Sequence, residues 1–96
     1  MQLPDDVAWS HEKNELLKFI RGVSFEDVED VIERDAVLRT EPHPNQTKYP
    51  GQLRMYVIIH SYVYMVPFVI DRSRNHIFLK TIIPSRTLTK KYLSNK

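Results

Sequence analysis

Ninety-six residues, 42% hydrophobic and 27% charged, fit one globular domain spanning 1–96 and leave no room for two independently folding units. The absence of cysteine excludes disulfides, thiolate metal sites and cysteine nucleophiles, and makes a reducing, cytoplasmic setting the expectation. The net charge of +2 conceals a division: residues 1–41 hold five Lys/Arg against eleven Asp/Glu, whereas the remainder holds nine against one, Asp71. A half-chain so basic points to a polyanionic partner.

Residues 1–9 read as a short lead ending in Trp9. Its Asp5 and Asp6 stand where an export signal needs positive charge, so no export is expected. Ser10 can cap a helix from His11 to about Arg21, with Leu16, Leu17 and Ile20 as the buried stripe and Gly22 as the stop. Ser24 opens a second helix, with Asp27 three residues on as in a capping box and Val23 and Val28 at the staple positions. Its apolar stripe is Phe25, Val28, Val31 and Ile32, while Glu26, Asp27, Glu29, Asp30 and Glu33 face water. Ala36 to Glu41 is a candidate strand, and Pro42 to Gly51, with three prolines, is a loop. Beyond it the period becomes extended: Met55–Ile59 and Tyr62–Ile70 flank His60-Ser61, Asp71–Asn75 is a polar turn, Ile77–Ile83 a further strand and Leu88–Leu93 a short closing helix. The stretch from Met55 to Ile70, interrupted by His60, Ser61 and Pro67, falls short of a bilayer span, so no membrane partner is expected. The expected class is α+β, two N-terminal helices packed on an antiparallel sheet of three or four strands, with a short C-terminal helix.

His60-Ser61 is not a favoured hairpin pair, yet treating it as a two-residue turn fixes the register. Ile59 then opposes Tyr62, Val57 opposes Tyr64, Met55 opposes Val66 and Leu53 opposes Phe68. Those eight residues share one face, the bed for the helices. Arg54, Tyr56, Ile58, Val63, Met65 and Pro67 take the other face. With Ile77, Leu79 and Ile83 in the core, Phe78, Lys80 and Ile82 join that second face.

Metal chemistry finds no support, because His11, His43, His60 and His76 are scattered and no H-x-x-x-H or paired-acid cluster lies in the basic half. Two isolated glycines cannot build a phosphate loop, and no cofactor is expected. What remains is Lys48, Tyr49, Arg54, Tyr56, Tyr64, Lys80, Arg86, Lys90, Lys91 and Tyr92. Tyr64 falls on the core face and reads as packing. The others suit RNA cleavage without metal, in which the substrate's 2′-hydroxyl is the nucleophile. The protein then need only orient it, stabilise charge on the phosphate and protonate the leaving 5′-oxygen. Arginine forks suit the phosphate, and tyrosines offer stacking surfaces for unpaired bases.

The run Trp9-Ser10-His11-Glu12-Lys13-Asn14, followed by Gly22-Val23-Ser24-Phe25-Glu26-Asp27-Val28, resembles the opening of BrnT-type toxins. Lys80-Thr81-Ile82-Ile83-Pro84-Ser85-Arg86, with Thr89 and Tyr92 after it, is similar to that family's last strand and terminal helix. Thr81 stands where members commonly carry an arginine, and Pro84 where they carry a small residue. The resemblance implies a RelE/ParE-like fold and mRNA cleavage, free or on the ribosome. It also implies neutralisation by a cognate antitoxin, typically of the ribbon-helix-helix type, through which alone operator DNA is bound. Carried over residue by residue, Arg86 takes the arginine position after the last strand, Tyr92 the tyrosine six residues on, Arg54 a central-strand arginine and Lys48 a basic residue before it, while Lys80 substitutes from the opposite face for the arginine missing at Thr81. The expected roles are that Arg54 and Arg86 bind and stabilise the phosphate, Lys48 or Lys80 takes part in proton transfer or charge stabilisation, and Tyr92 is an acid/base or stacking group. Lys48, Tyr49, Tyr56, Lys90 and Lys91 complete the RNA-binding set. Two alternatives remain open: a ParE-like inhibitor of a protein target, and a nucleic-acid-binding module that cleaves nothing.

Overall fold

The computed structural model describes residues 4 and 6–93. Over the described residues the fold is α+β, with three helices and a six-stranded, mostly antiparallel sheet. In chain order the elements are β1 (Asp6–Trp9), α1 (His11–Arg21), α2 (Phe25–Glu33), β2 (Arg39–Pro42), β3 (Leu53–Ile59), β4 (Tyr62–Asp71), β5 (His76–Leu79), β6 (Ile83–Pro84) and α3 (Arg86–Leu93). The sheet runs β1-β5-β4-β3-β2, with β6 pairing β4 beyond β5. It is larger than the three or four strands expected. Part of the excess lies in the supposed lead, where Asp6–Trp9 pairs parallel with β5, Val7 opposite Ile77 and Trp9 opposite Leu79. Residues 1–3 and 5 of that lead, Asp5 included, lie outside the described residues.

The helix ends follow their capping residues. Ser10 accepts from the Lys13 N–H and Gly22 closes α1 at φ 68°, a left-handed conformation that glycine adopts without steric cost. Ser24 and Asp27 form a complete capping box on α2, each side chain accepting the other's backbone N–H. The buried stripe of α1 differs from expectation. Leu17 is buried, but Leu16 and Ile20 are about half exposed, and Phe19 beside them is 88% exposed. Asn14 takes the buried place instead: its oxygen accepts from the Phe25 N–H at 2.7 Å, and its amide donates to Glu26 Oε1 at 2.7 Å. A side chain that satisfies the first, otherwise unpaired N–H of α2 thus sets which way α1 rolls.

The β3–β4 hairpin has the register that a two-residue turn dictates, from Leu53 opposite Phe68 to Ile59 opposite Tyr62. His60 (φ 52°) and Ser61 (φ 62°) both turn left-handed, the type I′ pattern whose twist suits paired strands. Met55, Val57, Ile59, Tyr64, Val66 and Phe68 accordingly share one core with Leu17, Val23, Phe25, Val28 and Val31, and with Ile77, Leu79 and Ile82. Trp9 stacks on Phe25 at 5.7 Å to cover its edge.

The last strand does not run unbroken from Ile77 to Ile83. Phe68 opposes Leu79 and Met65 opposes Ile83, so three steps on β4 are matched by four on the partner. The extra residue, near Thr81, is a bulge that reverses the alternation beyond it. Ile82 is therefore fully buried and Ile83 is not, the opposite of the expected phase, while Lys80 keeps its place on the outer face. The second strand forms as Arg39–Pro42, displaced from Ala36–Glu41, and α3 starts at Arg86, two residues before the expected Leu88, because Ser85 Oγ accepts from the Leu88 N–H.

Replacing Asn14 with Ala leaves the Phe25 N–H buried without an acceptor and is expected to cost about 2–3 kcal/mol in a denaturant titration. Conversely, His60→Asn with Ser61→Gly supplies residues that accept positive φ, and is expected to raise stability by about 1 kcal/mol, or several degrees in Tm.

Candidate functional site

Strand pairing lays the outer face of the sheet out in rows. One row reads Glu41, Arg54, Pro67 across β2, β3 and β4, and Lys80 continues it, its N–H donating to the Pro67 carbonyl at 2.8 Å. The next reads Arg39, Tyr56, Met65, Ile83. Alternation therefore brings Arg54, Tyr56 and Lys80 together on the face away from α1 and α2, as the hairpin register requires. The structure also adds two residues that the sequence reading left out, Arg39 and Glu41.

Glu41 is the hub. Its Oε2 is bound by Arg54 Nη2 and accepts the Tyr56 hydroxyl at 2.7 Å, and its Oε1 lies 3.4 Å from Arg39 Nη2. Both guanidiniums also lie against the Tyr56 ring, at 4.9 Å for Arg39 and 5.9 Å for Arg54. The Tyr56 hydrogen bond and then the Arg54 one, against an opposing effect of burial, hold the Glu41 carboxyl below its ordinary pKa. Burial and the bond to Glu41 push the Tyr56 phenol up, so it stays a donor. Burial works against the Arg39 charge, but Glu41 beside it, with Tyr56 and Tyr92, outweighs that and raises its pKa. Arg54 is thus not an open phosphate fork: a carboxylate already occupies it, and its Nε is buried with no hydrogen-bond partner among the described residues. A buried unpaired donor costs stability, a cost tolerated more often at functional sites than elsewhere.

The remaining residues sit around this hub. α3 packs against β4: the Val63 N–H donates to Thr89 Oγ1 at 2.9 Å and the Ser85 N–H to the Val63 carbonyl at 2.9 Å. This carries Tyr92, in the last turn, into electrostatic range of Arg39. Arg86 starts the same helix and is exposed. Six residues separate it from Tyr92, about 9 Å along the axis and a third of a turn around it, so the two do not point at one spot. Lys90 and Lys91 are exposed in the last turn, where cations complement the helix dipole. Lys48 and Tyr49 lie on the loop joining β2 to β3, with Lys48 Nζ 5.4 Å from the Tyr49 ring. Tyr64 packs in the core.

The helical side has the opposite character. Asp6, Glu29 and Glu33 line a cleft beside β1, and burial, then Glu33 and Glu26, pushes the Glu29 carboxyl up. Among the described residues no group of three or more His, Asp or Glu side chains is placed to hold a metal ion, and no helix is long and apolar enough to cross a membrane.

Arg39-x-Glu41 in a strand places both side chains on one face, which was legible. That Glu41 lands on Arg54 was not, because a ten-residue loop separates the strands and leaves their register free. Comparison with protein families, curated proteins and solved structures finds no match to this chain.

Glu41, with its folded pKa depressed, contributes stability that is present above its unfolded value and lost as pH falls through the folded one. Glu41→Gln is therefore expected to be less stable than the wild type at pH 7, and the gap is expected to close below pH 4.5 in urea titrations across pH.

Proposed function

We propose that this protein is a metal-independent endoribonuclease with a RelE/ParE-like layout, acting as the toxin of a BrnT-type toxin–antitoxin pair. The observation that carries the reading is the Glu41–Arg54–Arg39–Tyr56 cluster on the basic outer face, with Lys80 in the same row and Tyr92 close by. An ionised carboxylate between two guanidiniums supplies what cleavage through the 2′-hydroxyl needs. Glu41 takes the 2′-hydroxyl proton as the 2′-oxygen bonds to phosphorus. Arg39 and Arg54 bear the charge that builds on the phosphoryl oxygens. The bond from phosphorus to the 5′-oxygen breaks, and that oxygen takes a proton from Tyr92 or Lys80, leaving a 2′,3′-cyclic phosphate and a 5′-hydroxyl. The substrate phosphate displaces part of the Glu41 contact to reach Arg54. Arg86, Lys90 and Lys91 attract the RNA backbone from α3.

Control by an antitoxin fits the opposite side of the molecule. Leu16, Phe19 and Ile20 form an exposed apolar stripe on α1, the kind of surface that partner proteins cover.

Purified protein incubated with messenger RNA in EDTA, with and without ribosomes, is expected to yield 2′,3′-cyclic phosphate ends. Glu41→Gln and Arg54→Ala are each expected to slow cleavage about 100-fold or more. Salt-sensitive RNA binding without cleavage would move the reading to a binding module, and inhibition of a protein target without either would move it to a ParE-like inhibitor.

A further inference from the structure

The loop from His43 to Gln52 is built more firmly than an exposed connection requires. The His43 N–H donates to the Gln52 carbonyl at 2.9 Å, carrying the β2–β3 ladder one step past Pro42. The Gln46 side chain then lies across both arms. Its amide donates to the carbonyls of His43 (2.8 Å) and Gln52 (3.1 Å), and its oxygen accepts from the Gly51 N–H (3.0 Å). Asn45 fastens the tip: its side-chain oxygen accepts from the Lys48 N–H (3.0 Å), its carbonyl accepts from the Tyr49 N–H (2.9 Å), and its own N–H donates to His43 Nδ1 (2.9 Å). Pro44 and Pro50 narrow the backbone further.

What this scaffolding holds in place is a pair of rings. His43 and Tyr49 lie 4.4 Å apart between centroids at an interplanar angle of 42°, and the Lys48 ammonium stands over the Tyr49 ring, 5.4 Å from its centroid. Neither ring belongs to the hydrophobic core, and Tyr49 is 37% exposed. A rigid aromatic surface next to a cation is what an unpaired base stacks on while its phosphate is neutralised. Its place matters as much as its make-up. His43 lies two residues beyond Glu41 on a ladder that continues to it, so its side chain falls on the same face, about 7 Å along the strand.

We infer that the loop is a base platform: the unpaired base beside the cleaved phosphate stacks on Tyr49 and His43, and Lys48 meets the flanking phosphate. The inference rests on the ribonuclease reading and names its substrate class, single-stranded RNA, since a base within a duplex cannot reach the rings. Gln46 is a positioning residue, acting only through the ring pair.

The test uses a short single-stranded oligoribonucleotide carrying 2-aminopurine, whose fluorescence stacking quenches, placed at successive positions along the strand. The wild type is expected to quench the probe at one position. Tyr49→Ala is expected to lose the quench and raise KM about tenfold with kcat held within about threefold, and Tyr49→Trp to restore both. Gln46→Ala is expected to behave as Tyr49→Ala does, and Arg54→Ala to slow cleavage about 100-fold or more while keeping the quench. If Tyr49→Ala quenches and cleaves as the wild type does, or if a fully paired duplex binds equally well, the platform is overturned and the ribonuclease reading survives. If the wild type neither binds nor cleaves the single strand, with ribosomes or without them, that reading falls and the platform falls with it.

Discussion

Which chemistry each face of the sheet carries depends on the register of β3 against β4 across their two-residue turn. His60 and Ser61 both adopt left-handed conformations, and the strands they join are thereby held in a single register. A slip of one residue exchanges the faces. If β3 slips, Met55 and Val57 lose the helices they pack against and Arg54 and Tyr56 are driven into the apolar layer beneath α2; if β4 slips, Tyr64, Val66 and Phe68 turn away from the core. Both outcomes cost far more than the strain of two non-glycine residues at positive φ. The turn is therefore not selected by its own preference but imposed by what lies on either side of it.

Segregation of charge follows from the same alternation. Acids collect on α2 and the cleft beside β1, while the outer face receives Arg39, Arg54, Lys80 and the cations of α3. Glu41 is the exception, and its placement gives the outer face its character. A face carrying only cations attracts any polyanion indiscriminately. With Glu41 seated between Arg39 and Arg54, and Tyr56 donating to it, the positive charge at the centre of that face is partly offset until something competes for the guanidiniums.

Local chemistry was legible and long-range pairing was not. Ser10, Ser24, Asp27 and Gly22 mark the ends of α1 and α2 because capping involves atoms within four residues. The hairpin register was legible because a two-residue turn permits one pairing. The buried stripe of α1 was misread because Asn14 counts as polar in any periodicity, yet two hydrogen bonds to α2 make it the residue that faces inward. The bulge near Thr81 leaves no mark in composition: it exists because β5 must reach β1 while Ile83 must reach Met65. At the site, Arg54, Tyr56 and Lys80 were placed on one face by alternation alone. Their partner Glu41 was hidden by the loop before β3, and Arg86 and Tyr92 were joined by sequence spacing that a helix turns apart.

The parallel pairing of β1 with β5 ties the order of synthesis to the order of assembly. Asp6–Trp9 hydrogen-bonds to a strand about seventy residues further on, a pairing of long loop closure that forms late. Until His76–Leu79 has left the ribosome exit tunnel, the first strand has no neighbour among the described residues and the sheet stays unfinished along that edge. Nascent chains therefore cannot complete this sheet before Leu79 has emerged.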